Sequence, residues 1–432
     1  MIAVLLFAQL ALGHPQDSVL TSYSQLGPLY EAAQVQNPRS AAAHALAAAA
    51  AARVSSARTL PDPQIQLGFM NYRIPGLKPM DPIGMTQFQI MQMIPTPGKL
   101  RLAGDAAAAR ARVASEDARA VEWDVRNQVA MAFYDLYTTD QSLAVSRQTL
   151  RLLQDTRAIA EAMYRVGDGR QTDVLRAQVE IARMIEDTVR MTTMRVAMAA
   201  RLDALLNRPA NSEVRTPLLP RFPDSLVTVD ALLAQSEADR PMLRAADLAV
   251  EAASAETKLA RKEVWPDLAV GVQYGQQRSV MGIERMGSLM LGASLPIFAG
   301  RRQLQMREEA AAMQQMAMAD RSAMRAQTRA DITTAYSNLE RARNLAALYR
   351  STIIPQAEAA VSSALAAYRV GSVDFMTLLD DRMTLNKYKQ ELFGLEAEQG
   401  KAWAELEMLV GRPLLNLNTT AGATNLGGTG HE

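Results

Sequence analysis

Few side chains in this sequence could catalyse a reaction or hold a metal ion tightly. The 432 residues include no cysteine, and the three histidines are His14, His44 and His431. A chain without cysteine has no disulfide, thiol nucleophile, iron–sulfur cluster or Cys-ligated zinc site. The sequence also shows no Ser/His/Asp set, no phosphate-binding Gly-rich loop and no His/carboxylate spacing of a metal centre. We therefore predict that the protein is not an enzyme and carries no cofactor.

Methionine is the one abundant side chain with affinity for soft metal ions, at 24 residues. Thioethers are soft ligands that suit Cu(I) or Ag(I). Methionine also fills irregular gaps in packing, and the recurrence of methionine on a plain helix near residues 313–324 favours that interpretation. The methionines near the two predicted strand pairs are Met70, Met80, Met85, Met91, Met93, Met281, Met286 and Met290.

Charge and composition indicate long helices and exclude a nucleic-acid-binding protein. The 46 basic residues nearly balance the 45 acidic residues, so no basic face for nucleic acid is implied. Aromatic residues make up 5% of the chain, while alanine and methionine are frequent. This composition favours long helices over a compact globule.

The two ends of the chain have compositions of their own. Residues 1–13 are predicted to be a signal peptide, because an apolar run ends at Ala11 and Gly13, the small residues expected before a cleavage site. The alternative is a buried N-terminal helix. Residues 416–432, which are rich in Asn, Thr and Gly, are predicted to be a disordered tail. No other segment has about 18 uninterrupted apolar residues, which argues against a helical membrane protein.

Between these ends the sequence repeats itself. Tyr-Arg-Val-Gly at residues 164–167 recurs at residues 368–371, and Leu-Leu-Asn-Arg-Pro at residues 205–209 falls on Leu-Val-Gly-Arg-Pro at residues 409–413. Matches in one order and at nearly one spacing indicate a tandem duplication, with repeats at residues 14–223 and 224–415. The remaining matches are Pro61-Asp62 with Pro266-Asp267, Ile94-Pro95 with Leu295-Pro296, and Gly98-Lys99 with Gly300-Arg301.

Each repeat predicts the same order of elements. A helix (residues 18–57 and 228–263) precedes two strands with apolar–polar alternation, over residues 63–73 and 86–94 and over residues 267–275 and 287–295. A Pro/Gly turn then starts a long helical run, and the first such run could reach roughly 95 Å. In the second run Pro355 predicts a kink. Shorter helices return over residues 172–207 and 375–410, and each ends at an Arg-Pro.

The strand lengths pose a physical problem. Strands of nine or ten residues are long enough to cross an outer membrane at a tilt, although a small soluble hairpin fits the alternation equally. Four strands cannot close a membrane barrel, and an open sheet edge in lipid is very costly. If the strands span a membrane, at least two copies of the chain must share one barrel.

At this point the chain resembles the TolC-like outer membrane efflux proteins over about residues 20–413. The resemblance rests on the duplicated Tyr-x-x-Gly, each copy followed by an Asp/Leu stretch, at residues 172–175 and 377–380. It rests also on Pro-Asp-Pro at residues 61–63 and on Gln-Met-Ile-Pro-Thr-Pro-Gly-Lys-Leu at residues 92–100, which looks most like the heavy-metal efflux branch.

The resemblance implies a mainly α fold with a small β part. Three chains would each give four strands to a 12-stranded outer-membrane β-barrel, continued by a long periplasmic α-helical barrel. It also implies partners: a homotrimer in outer-membrane lipid, a periplasmic adaptor protein and an inner-membrane RND-type pump, with no nucleic acid.

The same resemblance assigns two functional regions. The helix turns at residues 164–173 and 368–380 would form the periplasmic tip that docks on the adaptor, although a plain helix break is the simpler interpretation. The tip residues are Tyr164, Gly167, Asp173, Tyr368 and Gly371. Asp380, and after it the adjacent Asp381, would face the narrow end of the pore, where a ring of three carboxylates selects cations. The alternative is a solvated surface carboxylate.

The sequence thus favours an outer-membrane exit duct of a tripartite efflux system. Metal cations are the first candidate cargo, and drugs or small organic molecules are the alternative. A protein of another class, a soluble periplasmic coiled-coil scaffold or adaptor, would use the strands as a small non-membrane sheet.

Overall fold

The computed structural model describes residues 23–80, 83–279 and 281–415. The predicted signal peptide and C-terminal tail, with His14 and His431, lie outside these residues. The helices are α1 Leu26–Gln36, α2 Pro38–Arg58, α3 Lys99–Arg165, α4 Gln171–Leu205, α5 Val229–Asp239, α6 Pro241–Lys262, α7 Gln303–Leu348, α8 Ile354–Arg369 and α9 Phe375–Val410. The strands are β1 Tyr23–Ser24, β2 Gln64–Met70, β3 Tyr72–Arg73, β4 Lys78–Pro79, β5 Met85–Ile94, β6 Thr216–Pro217, β7 Asp267–Ser279 and β8 Gly282–Ser294.

The long helix α3 organises the helical part. Its 67 residues correspond to a length of about 100 Å, and they match the predicted run. Gly98 precedes it with φ +89°, a left-handed conformation that glycine adopts at little cost. Helix α3 contacts α2, α4, α6 and α9, and its fully buried Phe133 and Tyr134 lie in the main apolar core.

The prediction of a single first helix in each repeat was wrong, because each is two helices; in the first repeat the helical part also begins only at Leu26, after the short strand β1. The breaks fall at Asn37-Pro38 and Arg240-Pro241, where proline occupies the first helical position. Proline lacks an N–H and pushes the preceding residue out of helical geometry. Asn37 caps the second helix, since its side chain accepts a hydrogen bond from the Arg39 N–H at 2.9 Å.

The interruption predicted at Pro355 takes the form of a π-helical turn. Residues Tyr349–Ile353 form this turn between α7 and α8, and the proline follows as the second residue of α8. A π turn accommodates the missing N–H of proline without ending the helix.

A four-stranded antiparallel sheet in the order β2-β5-β7-β8 lies beyond the ends of the helices. The prediction of a first strand over residues 63–73 was wrong at its end: β2 stops at Met70, because Asn71 has φ +53° and breaks the extended backbone. Strands β7 and β8 are longer than predicted, at 13 residues each.

The two hairpins of the sheet have equivalent pairing. In the first, Gln64 lies opposite Met91, and in the second, Ala269 lies opposite Gly292. Ala269 follows Gln64 by 205 residues and Gly292 follows Met91 by 201 residues, which are the offsets of the matched Pro-Asp and Ile/Leu-Pro pairs. The hairpins join through β5 and β7, so one half of the chain meets the other in the middle of the sheet.

No helix in the described part of the chain is both long enough and apolar enough to cross a membrane.

Candidate functional site

One face of the sheet is apolar and uncovered. Residues directly opposite each other in an antiparallel ladder share a face, so the register assigns every side chain to one of two faces. Ten apolar side chains of this face are between 38% and 76% exposed in the chain: Ile65, Leu67, Phe69, Phe88, Ile90, Leu268, Val272, Tyr274, Leu289 and Leu291.

The opposite face carries amides, thioethers and glycines. Gln66, Gln89, Gln273 and Ser288 form one continuous row across all four strands. The Gln273 side-chain amide of this row donates to the side-chain carbonyl oxygen of Gln87, in the next row, at 2.5 Å. Gln66, Gln87 and Gln89 of the first repeat therefore share a face with Gln273 of the second, whereas Gln92 and Gln276 lie on the apolar face, which is formed by both repeats.

Burial of these two faces is the reverse of that in a water-soluble sheet. On β5, Gln89 is 9% exposed, while its neighbours Phe88 and Ile90 are 38% and 41% exposed. A soluble sheet buries its apolar face against a core. An exposed apolar band with a polar inner face is the pattern of a strand that faces lipid on one side and water on the other.

Both outer edges of the sheet are open. Among the described residues, neither β2 nor β8 has a second strand partner. An unpaired edge presents a row of N–H and C=O groups that can pair with another chain, and such an edge is very costly in lipid.

A polar cluster, which the sequence did not reveal, fastens the sheet to the helices. Lys99, the first residue of α3, contacts Asp267 at 2.9 Å and Glu263 at 2.7 Å. Asp267 also accepts from the Thr96 N–H at 2.9 Å, and the Thr96 hydroxyl donates to the Pro266 carbonyl at 2.7 Å. Burial lowers the pKa of Lys99, but Glu263 and Asp267 outweigh that effect and raise it above its usual value.

Both members of this pair are repeat landmarks, in Gly98-Lys99 and Pro266-Asp267, but they are 168 residues apart. They come together because β5 and β7, the strands next to them, pair with each other. The sequence therefore identified both residues as repeat landmarks but did not predict that they form an ion pair.

The two helix turns at the other end have closely similar backbones. Gly167 and Gly371 have φ +87° and +71°, and each follows a helix whose carbonyls accept from the turn. The Gly167 N–H donates to the Tyr164 carbonyl at 3.2 Å, and the Gly371 N–H donates to the Tyr368 carbonyl at 3.0 Å. Glycine suits both positions because other residues rarely adopt positive φ.

The structure brings these two turns into one apolar cluster. Tyr368 is buried and packs edge-on against Phe375, with ring centroids 5.6 Å apart. Burial, and then the nearby carboxylate of Asp173, raises the pKa of Tyr368. Tyr164 differs from its counterpart Tyr368, because its side chain is exposed. The predicted tip residues therefore lie at one end of the molecule, with Tyr164 on its surface.

Asp380 and Asp381 lie on the first two turns of α9. Leu378 and Leu379 point into the tip cluster, Asp380 is exposed, and Asp381 is half-buried. No hydrogen bond or ion pair joins either carboxylate to another described residue. The following Arg382 lies nearer the core, where burial lowers its pKa and Asp155 partly offsets that effect.

A second buried charge cluster joins α3 to the last turn of α9, and no local motif predicted it. Glu407 accepts from the Leu414 and Leu415 N–H groups at 2.8 and 2.9 Å, and it pairs with Arg126 at 3.0 Å. The Arg126 guanidinium stacks over the Tyr30 ring, 3.8 Å from its centroid. This cluster fixes the segment after α9 to α3 and α1.

Within the described residues, no group of three or more His, Asp or Glu side chains could hold a metal ion. The family assignment follows from the sequence itself. The model of the outer membrane efflux protein family matches residues 29–208 and 232–412, which together cover most of the chain. The chain belongs to the outer membrane efflux protein family. Each matched segment lies inside one of the two predicted repeats.

Individual members of the family are distant in sequence. The chain is 23% identical to the pyoverdine export outer membrane protein OpmQ of Pseudomonas putida over 73% of this chain and 67% of that protein. It is 24% identical to the cobalt-zinc-cadmium resistance protein CzcC of Cupriavidus metallidurans over 68% of this chain and 69% of that protein.

The fold of this efflux protein matches solved members of the family. The outer membrane protein VceC of Vibrio cholerae superposes with a TM-score of 0.74 over 90% of this chain and 96% of that one, at 19% identity. The predicted fold class, a mainly α protein with a small sheet, is thereby confirmed, as is the resemblance to TolC-like proteins. Family membership also confirms the predicted location in the outer membrane.

Proposed function

We propose that this efflux protein is the outer-membrane exit duct of a tripartite efflux system, passively conducting cargo from the periplasm to the exterior. The observation that carries the proposal is the four-stranded sheet, with its exposed apolar face, its amide-lined opposite face and its two open edges. The apolar face contacts lipid, and the amide face lines the conduit. A soluble scaffold would leave that apolar face in water.

The open edges require other copies of the chain. Outer-membrane barrels begin at about eight strands, so four strands need at least one further copy, and three copies give the twelve strands implied by the family. The helices of the three copies then stand side by side as a periplasmic tube. The adaptor protein and the RND-type pump are its partners at the far end.

The tip is the proposed docking end. Gly167 and Gly371 make the turns, Tyr368 holds them together, and the exposed Tyr164 and half-buried Asp173 offer the adaptor an aromatic ring and a carboxylate. Asp380 is exposed on the helix that follows, and three copies form the carboxylate ring of the constriction. Asp381, turned about 100° away, is the lesser member.

Metal cations are the proposed cargo. The resemblance to CzcC and the thioethers on the amide face support this choice, because Met side chains are soft ligands and the face offers many weak contacts that let cargo leave. The alternative cargo is a small organic molecule, for which the resemblance to OpmQ is the support.

Deletion of the gene in its own host tests the cargo. We expect the deletion to raise sensitivity to metal salts and raise cell-associated metal, measured by mass spectrometry across cobalt, zinc, cadmium, copper and silver. The wild-type gene should restore both. If only organic compounds accumulate, the duct stands and the metal cargo is wrong. If neither class accumulates, the export function is wrong.

A further inference from the structure

The pairing of the two repeats inside one chain indicates how one copy joins the next. Inside the chain the repeats meet where β5 pairs with β7, with Ile90 opposite Val272. Just beyond this inner seam, Lys99 pairs with Asp267 at 2.9 Å. The inner seam therefore has a defined register and an ion pair at its periplasmic end.

The open edges carry the counterparts of both features. Arg301 follows β8 as Lys99 follows β5, and Asp62 precedes β2 as Asp267 begins β7. Arg301 and Asp62 are exposed, and neither side chain has a hydrogen bond or ion pair with another described residue. The two open edges of the chain thus carry a basic and an acidic residue that are equivalent to the Lys99–Asp267 ion pair of the inner seam.

We propose that β8 of one copy pairs with β2 of the next in the register of the inner seam, and that Arg301 pairs with the partner's Asp62. This inference rests on the proposed duct. The offsets of 201 and 205 residues convert the pair Ile90–Val272 into Leu291 opposite the partner's Leu67. They convert Gln89–Gln273 into Met290 opposite the partner's Gly68.

The proposed register keeps both faces of the sheet continuous. Leu291 and Leu67 both lie on the apolar face, while Met290 and Gly68 lie on the amide face. A slip of one residue would place leucine on the conduit side, so the faces exclude odd shifts. The ion pair then distinguishes this register from shifts by two residues, which would move Arg301 along the seam relative to the partner's Asp62.

The proposed contact between β8 of one copy and β2 of the next, which we call the outer seam, differs from the inner seam in one respect. Lys99 has a second carboxylate, Glu263, but the positions 204 and 205 residues before Glu263 are Thr59 and Arg58. Neither is acidic, so Arg301 depends on the partner's Asp62 alone. Reversal of one charge should therefore weaken the outer seam more completely than reversal of one carboxylate at the inner seam.

Cysteine pairs test the register cleanly because the native chain has no cysteine. Directly opposed residues on antiparallel strands have Cα atoms about 4.5–5.5 Å apart, within the range of a disulfide. We expect the full-length protein with Leu67→Cys and Leu291→Cys, oxidised in detergent, to run as a covalent trimer on a non-reducing gel. The matched control, Leu67→Cys with Ala293→Cys, is two residues out of register, at about 7–8 Å, and should stay largely monomeric.

The result distinguishes an error in the proposed register from an error in the proposed duct. If mass photometry shows a trimer, but the control variant cross-links and the variant with Leu67→Cys and Leu291→Cys does not, the register is wrong and the proposed duct is unaffected. A wild-type protein that forms no oligomer would overturn the proposed duct itself.

Charge exchange tests the ion pair. We expect Asp62→Arg and Arg301→Asp each to lower the temperature at which the trimer dissociates, and the double variant to restore it. Arg302→Asp, an adjacent exposed arginine, is the matched control and should leave that temperature unchanged. A double variant no more stable than the singles, or a control that falls equally, would contradict the pairing.

Discussion

At the scale of single residues, exposure distinguishes Asp380, the proposed cation filter, from its neighbour Asp381. Both are carboxylates on one helix, but Asp380 is exposed and Asp381 is half-buried. We expect Asp380→Asn to reduce the preference for cations, because it removes three charges from the constriction of a trimer. The measurement is the reversal potential in a KCl gradient across a planar bilayer. Asp381→Asn is the control, and an equal loss in both variants would contradict the assignment.

Asp374 gives the tip a dependence on pH. It caps α9, accepting from the Thr377 hydroxyl at 2.5 Å and from the Thr377 N–H at 3.2 Å, and these bonds, with Arg170 nearby, hold the pKa of Asp374 below its usual value. A depressed carboxyl pKa means that the cap stabilises the tip above the unfolded pKa, about 3.9, and loses this effect as the pH falls through the folded value.

We therefore expect Asp374→Ala to increase hydrogen exchange over the first turn of α9 at neutral pH, and to make little difference in acid below the folded pKa. Asp374→Asn should preserve most of the protection from exchange, because asparagine also caps helices. Because asparagine does not titrate, this protection should persist in acid. Equal exchange in wild type and Asp374→Ala at pH 7 would show that the cap does not stabilise the turn.

At the scale of helices and strands, the sequence predicted the lengths of the long helices and missed the breaks in the first helix of each repeat. The absence of proline made the α3 run visible. Of the two helices predicted to end at an Arg-Pro, α4 ends two residues before the predicted residue 207 and α9 ends at the predicted residue 410. The breaks before Pro38 and Pro241 were missed, since proline is also at home in a first helical turn. The end of β2 depends on the positive φ of Asn71, which alternation does not reveal.

Close approach of helices is a second feature that the sequence hides. A Cβ on Gly400 of α9 would lie 2.2 Å from the ring of the fully buried Tyr134 of α3. Gly394, on the same helix, has no atom within 4 Å of such a Cβ. The two glycines look alike in the sequence, and only packing distinguishes them.

These glycines give a matched pair of variants. We expect Gly400→Ala to lower the free energy of unfolding by about 1–3 kcal/mol through overpacking. Gly394→Ala should leave it unchanged or raise it by up to about 1 kcal/mol, because alanine is the better helix former. Thermal unfolding of the purified protein in detergent, followed by circular dichroism, measures both. Equal effects would show that α3 and α9 are not packed this closely.

At the scale of the whole molecule, the features that the sequence did not predict depend on contacts between segments that are far apart in the chain. The alternating strands predicted an apolar face in each hairpin, and the register adds that Gln89 of the first repeat lies beside Gln273 of the second on the opposite face. The meeting of the two tip turns around Tyr368 and Phe375 likewise depends on how four helices pack. The duplicated turns identified the residues, and only the fold brought them together.

The central claim is that copies of this chain form an open conduit across a lipid bilayer. Planar-bilayer conductance of the purified, detergent-extracted protein tests it most directly. We expect discrete, uniform conductance steps from a trimeric protein, with a preference for cations. A folded, helical protein that inserts no channels and is recovered from cells in the soluble periplasmic fraction would contradict the account.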